Sequence, residues 1–328
     1  MIKRILLFLF TVLLIAGTNS YAITGPRKDS LLKNIEKFNK FTIATFISAP
    51  RLSMTISDKS NLGENIHYLP NVMNSLGLDL SWRWMGGGYG VRLPRKDINE
   101  LLYGKTNYYD YQFYLYLRRF GFDAYWQTYQ GFYLNNPKTF DINWHDSLPH
   151  PSRGDLSMNN LGLNIFYIHS PKFSFKATYN QTERQKKSAG TFLFMVAQSI
   201  EEVASDTSMI PANQRVFYSD IVEMNNSRFY NISIAPGYAY SFIWKNFFIT
   251  PTLFAGAGYQ SQDCKFTNGD LNKTTITPKV NLRFGIGYNG KRFLIGAHGV
   301  YDMSYMNVMD SGLRFIMSTL KFQMGVRL

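Results

Sequence analysis

Along most of the chain, large apolar residues recur at every second position. In the C-terminal segment Ile316, Ser318, Leu320, Phe322, Met324, Val326 and Leu328 share one face, while Thr319, Lys321, Gln323, Gly325 and Arg327 share the other. Such alternation puts successive side chains on opposite faces of a β-strand, here facing two different solvents. The pattern returns at Val280, Leu282, Phe284, Ile286 and Tyr288 against Lys279, Asn281, Arg283, Gly285 and Gly287. A third run sets Tyr230, Ile232, Ile234, Pro236, Tyr238, Tyr240 and Phe242 against Phe229, Asn231, Ser233, Ala235, Gly237, Ala239 and Ser241. A soluble sandwich also alternates, but with strands of about five or six residues and charge on its outer face. These runs are longer, and about 9–11 tilted residues cross a bilayer. Aromatic residues near the ends of runs, such as Trp82 and Trp84, Tyr108 and Tyr109, and Trp244 with Phe247 and Phe248, suit the interfacial girdles of a membrane barrel.

The runs predict strands near 41–56, 75–84, 87–93, 109–118, 121–133, 158–168, 172–183, 190–200, 214–223, 228–242, 246–261, 274–288, 291–305 and 313–328. The first, broken by Pro50, and the ninth carry the weakest pattern. Short turns, such as Arg118 to Gly121, His169 to Lys172, Trp244 to Asn246 and Asn289 to Lys291, alternate with longer polar stretches at 57–74, 94–108, 134–157, 184–189, 262–273 and 306–312. Lipid does not tolerate an unpaired strand edge, so first and last strands must meet. The expected fold is all-β: a single closed antiparallel transmembrane β-barrel over 41–328, of about 14 strands, with 12 as the alternative that preserves parity. Short turns face the periplasm and longer loops face outward.

At the N-terminus Lys3 and Arg4 precede an apolar run from Ile5 to Gly17, and Ser20-Tyr21-Ala22 supplies the small residues of a cleavage site. Residues 1–22 read as a secretory signal peptide. Residues 23–40 read as a short amphipathic helix or a periplasmic arm. No later window supplies about 18 uninterrupted apolar residues, so helical membrane spans are excluded and the bacterial outer membrane is the expected location.

Composition sharpens this picture. Of 328 residues, 45% are hydrophobic and 16% aromatic, while only 17% are charged, below the roughly 25% of soluble domains. The net charge is +13; without Lys3 and Arg4 the 35 basic residues fall to 33 against 22 acidic, a net +11. Export excludes nucleic acid as the partner, leaving lipid A or phospholipid headgroups, anionic solutes in a basic lumen, or basic residues that simply sit in loops. One cysteine, Cys264, excludes a disulfide framework, a cysteine zinc site and an iron–sulfur cluster, and no cofactor or metal is expected.

Candidate chemistry lies on the inward face, where charge is free to serve function. Asp123, Tyr125, Gln127 and Tyr129 alternate on one strand, Asn160 and Asn164 lie on a later one, and Lys176, Thr178, Asn180, Thr182 and Arg184 continue an inward face through an unusually polar stretch. That stretch reads as a ligand-binding or gating network, or as a salt-bridged plug or solvated loop. Lys176, Lys279, Arg283, Lys321 and Arg327 supply a basic wall. His298 and Asp302 share a strand face, with Ser304 six residues beyond His298, too far along one strand for a direct bond; they are candidates for a lipid hydrolase whose partners come from neighbouring strands. His145, Asp146 and His150 have a loose metal spacing that also fits a solvated loop. Gly86, Gly87, Gly88 and Gly90 lack the Lys-Ser/Thr of a phosphate loop and suit a tight barrel bend.

The run from Lys172 to Gly190 resembles the central motif of a Bacteroidota family, the domain of unknown function 4421. Ser81-Trp82-Arg83-Trp84, Gly90 to Pro94, Tyr116 to Asp123, Tyr129 to Leu134 and Asn160 to Tyr167 agree in order. The resemblance covers nearly the whole mature chain. It implies an exported barrel from that phylum and carries no reaction; the alternation of the last strand, with Phe322, points to insertion by the barrel-assembly machinery. The residues themselves point to a conduit or binding barrel for a small anionic or amphipathic solute. The rivals are a barrel-scaffolded enzyme acting on lipid A or phospholipid, and a structural or assembly component.

Overall fold

The computed structural model describes residues 34–328 apart from 61, 83–84 and 94–96. The expected signal peptide, 1–22, and residues 23–33 of the expected arm lie outside the described residues. In chain order the first half contains β1 (Ile35–Lys37), β2 (Phe41–Asp58), β3 (Ile66–Leu69), β4 (Ser75–Trp82), β5 (Met85–Arg92), a short helix α1 (Asp97–Tyr103), β6 (Asn107–Tyr116), β7 (Phe120–Leu134) and β8 (Ser152–Ile168). The second half contains one helical turn, α2 (Phe175–Thr178), then β9 (Glu183–Gln185), β10 (Ala189–Ala204), β11 (Met224–Trp244), β12 (Phe247–Phe266), β13 (Gly269–Asn289), β14 (Phe293–Val308) and β15 (Ser311–Arg327).

Thirteen of these strands form one sheet, and ten of them close on themselves. The circuit runs β2, β15, β14, β13, β12, β11, β10, β8, β7, β3 and back to β2, with every pair antiparallel. Closure between first and last wall strands is long, from Thr42 opposite Arg327 to Asp58 opposite Ser311. The short β3 bridges β2 and β7 through Tyr68 opposite Met54 and Leu69 opposite Tyr133. Strand β4 pairs with the first half of β2 and carries β5, while β6 pairs with β7. Pro50 does not break β2. It lies where β4 has ended, at Ser75 opposite Ser48, and β3 has not begun, so its missing N–H falls in a stretch with one free edge.

Twelve of the fourteen expected strands are present and two are not. Residues 172–183 form α2 and irregular chain, so 184–189 is not an outward loop; its first residues belong to β9, which pairs with β1. Residues 214–223 form turns. Each misreading has the same physical cause. As a strand, 172–183 would turn Gln181 and Glu183 to lipid with Phe173, Phe175 and Tyr179, and either face of 214–223 carries charge, Asp220 on one and Arg215 and Glu223 on the other. Charge on the lipid face is costly. The expected loops at 262–273 and 306–312 are instead strand extended to tight turns at 267–268 and 309–310, where Met309 adopts a left-handed backbone with φ 50°.

The alternation sorts the wall as the periodicity predicts. Leu282, Phe284 and Ile286 of β13 are exposed while Lys279, Asn281 and Arg283 are buried; Leu320, Phe322 and Met324 of β15 are exposed while Gln323 and Arg327 are buried. Inside lie two apolar clusters. One, at the long-loop end, joins Leu52, Met54 and Ile56 to Met209, Ile210, Tyr218 and Ile221; the other, at the short-turn end, joins Phe166, Phe254 and Met195 to Phe173, Phe175 and Tyr179.

Candidate functional site

Three layers fill the barrel. At the short-turn end, the segment between β8 and β10 turns into the barrel and plugs it. Ser174 starts α2 by accepting a hydrogen bond from the Ala177 N–H (3.2 Å) and donates to Glu183 Oε2 (2.6 Å). Gln185 accepts from the Ser174 N–H (3.1 Å) and donates to the Lys172 carbonyl (2.7 Å), which folds the segment on itself. Phe173, Phe175 and Tyr179 are buried in the second apolar cluster.

Polar contacts also bolt the plug to the wall. Asn289 Nδ2 donates to the carbonyls of Ala177 and Glu183, both at 2.9 Å. Thr178 Oγ1 donates to Thr250 Oγ1 (3.0 Å), Gln323 Nε2 to Gln181 Oε1 (2.9 Å) and Gln181 Nε2 to the Tyr288 carbonyl (3.2 Å). The Arg327 guanidinium donates to Asn289 Oδ1 (2.6 Å) and to the carbonyls of Gln181 and Gly290, with Phe38 packed 4.0 Å from it. Arg184 reaches Asn246 Oδ1 (2.8 Å) and Glu36 Oε2 (3.0 Å), pinning β9 to β1 and the wall. Gly285 makes room for the plug, because a Cβ there would lie 2.2 Å from Thr178 Cγ2. Partial burial holds the Lys176 ammonium below the usual lysine range, while Asn180 is exposed.

The middle layer is polar and paired. Arg283 forms an ion pair with Asp123, 160 residues away in sequence, and donates from Nε to Asn281 Oδ1 (2.8 Å). Phe166 and Phe254 flank its guanidinium at 4.9 and 5.6 Å. Lys279 pairs with Asp302, whose Oδ2 also accepts from Asn281 (2.8 Å) and Asn164 (3.3 Å). Glu201 Oε1 accepts from the hydroxyls of Ser199 (2.9 Å) and Ser304 (2.8 Å). Asp110 accepts from Gln112 (2.8 Å), Gln127 (2.9 Å) and Tyr129 (2.6 Å), and Asn160 donates to Gln127 Oε1 (3.0 Å). Lys321 pairs with Asp79. Tyr125 is buried, its ring lying where a Cβ on Gly162 would approach to 2.2 Å.

At the long-loop end, residues 205–223 form a cap over the first apolar cluster. Tyr68 donates to the Met209 carbonyl (2.7 Å), Tyr218 to the Glu64 carbonyl (2.9 Å), and Asp220 accepts from the Ser311 hydroxyl (2.9 Å). Burial pushes the Tyr218 phenol up to about 12. Two cavities, one between plug and wall and one beside Lys279 and Ser304, measure about 10 Å³ each, room for about one water.

The inward residues expected from sequence thus fall into two places. Asp123, Tyr125, Gln127, Asn160, Asn164, Lys279 and Arg283 meet in the middle layer; Lys176, Thr182, Arg184 and Arg327 belong to the plug and its attachments. The hydrolase candidates do not assemble: Asp302 is engaged by Lys279, Asn164 and Asn281, Ser304 donates to Glu201, and His298 packs edge-on against Tyr179 at 5.8 Å. His150 lies in an aromatic nest between Tyr103 and Trp144 and donates from Nδ1 to the Leu134 carbonyl (2.8 Å). Sequence reasoning passed over Asp79, which pairs with Lys321, and Asp110 and Glu201, which add acid to the same layer. Asp79 shares its inward face with Ser75, Gly77 and Ser81, and that alternation was the available signal; the inward faces of Asp110 and Glu201 also carry large residues such as Tyr108 and Leu193.

Fold and site define a β-barrel with an apolar outer belt and a lumen sealed at both ends. The chain belongs to the family described as Domain of unknown function (DUF4421), whose model matches residues 29–327. No curated protein matches it. Among solved structures it is similar to the outer membrane protease OmpT of Escherichia coli, at 7% identity and TM-score 0.42 over 88% of this chain and 97% of that one. It is also similar to Ail, the attachment invasion locus protein of Yersinia pestis, at 10% identity and TM-score 0.22 over 87% and 99% of the two chains. The toluene transporter TodX of P. putida aligns at 7% identity and TM-score 0.24 over 88% and 90%. No residue role passes from these proteins to this chain.

Proposed function

We propose that this protein is a gated barrel of the bacterial outer membrane, closed at rest, that passes a small amphipathic solute when its plug moves. The observation that carries the reading is the plug, a segment of the chain's own wall connection that occupies the short-turn mouth and is held there by side-chain hydrogen bonds beside three aromatic anchors, Phe173, Phe175 and Tyr179. Such bonds exchange with water at a net cost of about 0.5–1.5 kcal/mol each, so a plug held by them is releasable in a way that a strand of the wall is not. Export by a cleavable signal peptide, a source in Bacteroidota, insertion by the barrel-assembly machinery and contact with lipid A and phospholipid belong to the same reading, with the short-turn end in the periplasm.

The expected anion preference finds no support in the geometry. Lys279, Arg283 and Lys321 each face a carboxylate, and Asp110 and Glu201 add acid to the same lumen. An unplugged lumen is therefore neutral to cation-preferring. The test is single-channel recording in a planar bilayer of the mature protein beside a variant in which residues 170–187 are replaced by a short Gly-Ser turn. At low holding voltage the wild type is expected to be silent and the variant to conduct steadily with a reversal potential that favours cations; steady wild-type conductance at that voltage would overturn the reading.

A further inference from the structure

We propose that the seam between β5 and β6 is a lateral doorway that admits the acyl chain of a bilayer lipid to the barrel interior. This rests on the reading of the chain as a membrane-spanning barrel and names its solute as lipid. Among the described residues, β5 and β6 are the strands of the wall with a ladder on one side alone; β5 pairs with β4, β6 with β7, and the two do not pair with each other. The medium that meets this seam is the apolar belt itself. Leu78 of β4, Tyr89 and Val91 of β5 and Tyr111 and Phe113 of β6 all point outward and are more than half exposed.

Hydrocarbon cannot satisfy backbone N–H and C=O groups, so two facing unpaired edges in lipid are poised to zip together. Zipped, the thirteen strands of the sheet without β3 make a continuous wall of twelve. What limits the gain is composition: Gly86, Gly87, Gly88 and Gly90 give β5 no side chains to pack across the seam and the largest backbone entropy to lose. Arg92 ties the long-loop end of the seam, donating to the Tyr108 carbonyl and stacking 3.9 Å over its ring, so separation occurs below that tie.

Behind the seam lies a strip fitted for a chain with a polar end. Phe46 lies under β5, since a Cβ on Gly90 would approach its ring to 3.2 Å, and Lys321 sits 4.0 Å over the same ring, paired with Asp79. This ion pair is reachable where the two pairs of the middle layer beside it are not. The Lys321 and Asp79 side chains are 22% and 24% exposed, against 5% or less for Lys279–Asp302 and Arg283–Asp123. An accessible ion pair at membrane depth, beside a break in the wall, marks a path for an amphiphile.

The test places photoreactive benzoylphenylalanine at Tyr114, which faces inward on β6 beside the seam, in full-length mature protein reconstituted in vesicles of dioleoylphosphatidylcholine and dioleoylphosphatidylglycerol. The expected result is a mass increase of one lipid per chain after illumination. A second variant at Gln112, also inward on β6, gives the same reading should the first not fold. Two controls bracket it: the outward position Phe113 must label with lipid, and the far-wall inward position Phe254 must not. Lipid labelling at Phe113 with none at Tyr114 and Gln112 overturns the doorway while sparing the barrel. Cross-linking of Tyr114 to a second copy of the chain also overturns it, by assigning the edge to a dimer. No lipid labelling at Phe113 sinks the membrane reading itself.

Discussion

The two ends of the lumen are closed by different physics. At the long-loop end the cap buries Met209, Ile210, Tyr218 and Ile221 against wall residues such as Met54, Ile56 and Leu313, so closure follows from apolar area removed from water. At the short-turn end the plug has apolar anchors in Phe173, Phe175 and Tyr179, but its ties to β12, β13 and β15 run through Thr250, Asn289, Gln323 and Arg327. A hydrophobic seal opens only by exposing its whole face. The plug shares its closure between exchangeable hydrogen bonds and three aromatic anchors, so on the proposed reading it is the mobile end and the cap the fixed one.

The strongest blow to the layered lumen falls between the two seals. Asp123→Ala leaves Arg283 buried without its counter-charge and should cost about 3–5 kcal/mol of stability in denaturant unfolding. The double variant Asp123→Leu/Arg283→Met, which removes both charges, should recover most of that loss; equal destabilisation by single and double variants would show that the pair is not the issue. The next pair of variants separates the ends. Ile221→Ala in the cap should cost about 2–5 kcal/mol yet leave the barrel silent in a bilayer. Gly285→Val, whose side chain meets Thr178 of the plug, should cost about 1–3 kcal/mol and yet produce channel openings. Openings in the first and silence in the second would reverse the assignment of fixed and mobile ends.

Much of the wall was legible because lipid and lumen impose opposite chemistry on alternate residues. Leu282 and Arg283 need no neighbour to declare their faces. The plug was not legible as such because Phe173, Phe175, Ala177 and Tyr179 also alternate, and period two does not distinguish a strand from a chain packed against one. Gln181 and Glu183, which continue the apolar face, held the warning, and so did Asp220 in the cap. The charge balance of the middle layer was hidden for another reason. Asp123 meets Arg283, and Asn164 meets Asp302, across the barrel rather than along it, a proximity set by closure and register that a single sequence does not encode locally. Hence the basic residues were found, and Asp123 and Asp302 too, but not as their partners; Asp79 on β4 was missed, and a basic, anion-preferring wall was expected where the structure places ion pairs.

The most direct measurement of plug movement uses a reversible lock. Thr178 and Thr250 touch through their hydroxyls, plug to wall, so Thr178→Cys and Thr250→Cys in a Cys264→Ser background place two thiols within reach of a disulfide. Planar-bilayer recording under stepped voltage is made on the oxidised protein and again after dithiothreitol. The account predicts silence at every voltage while the plug is locked and voltage-driven openings once it is released. Openings with the disulfide intact, or silence in both states, would contradict a lumen gated by this plug.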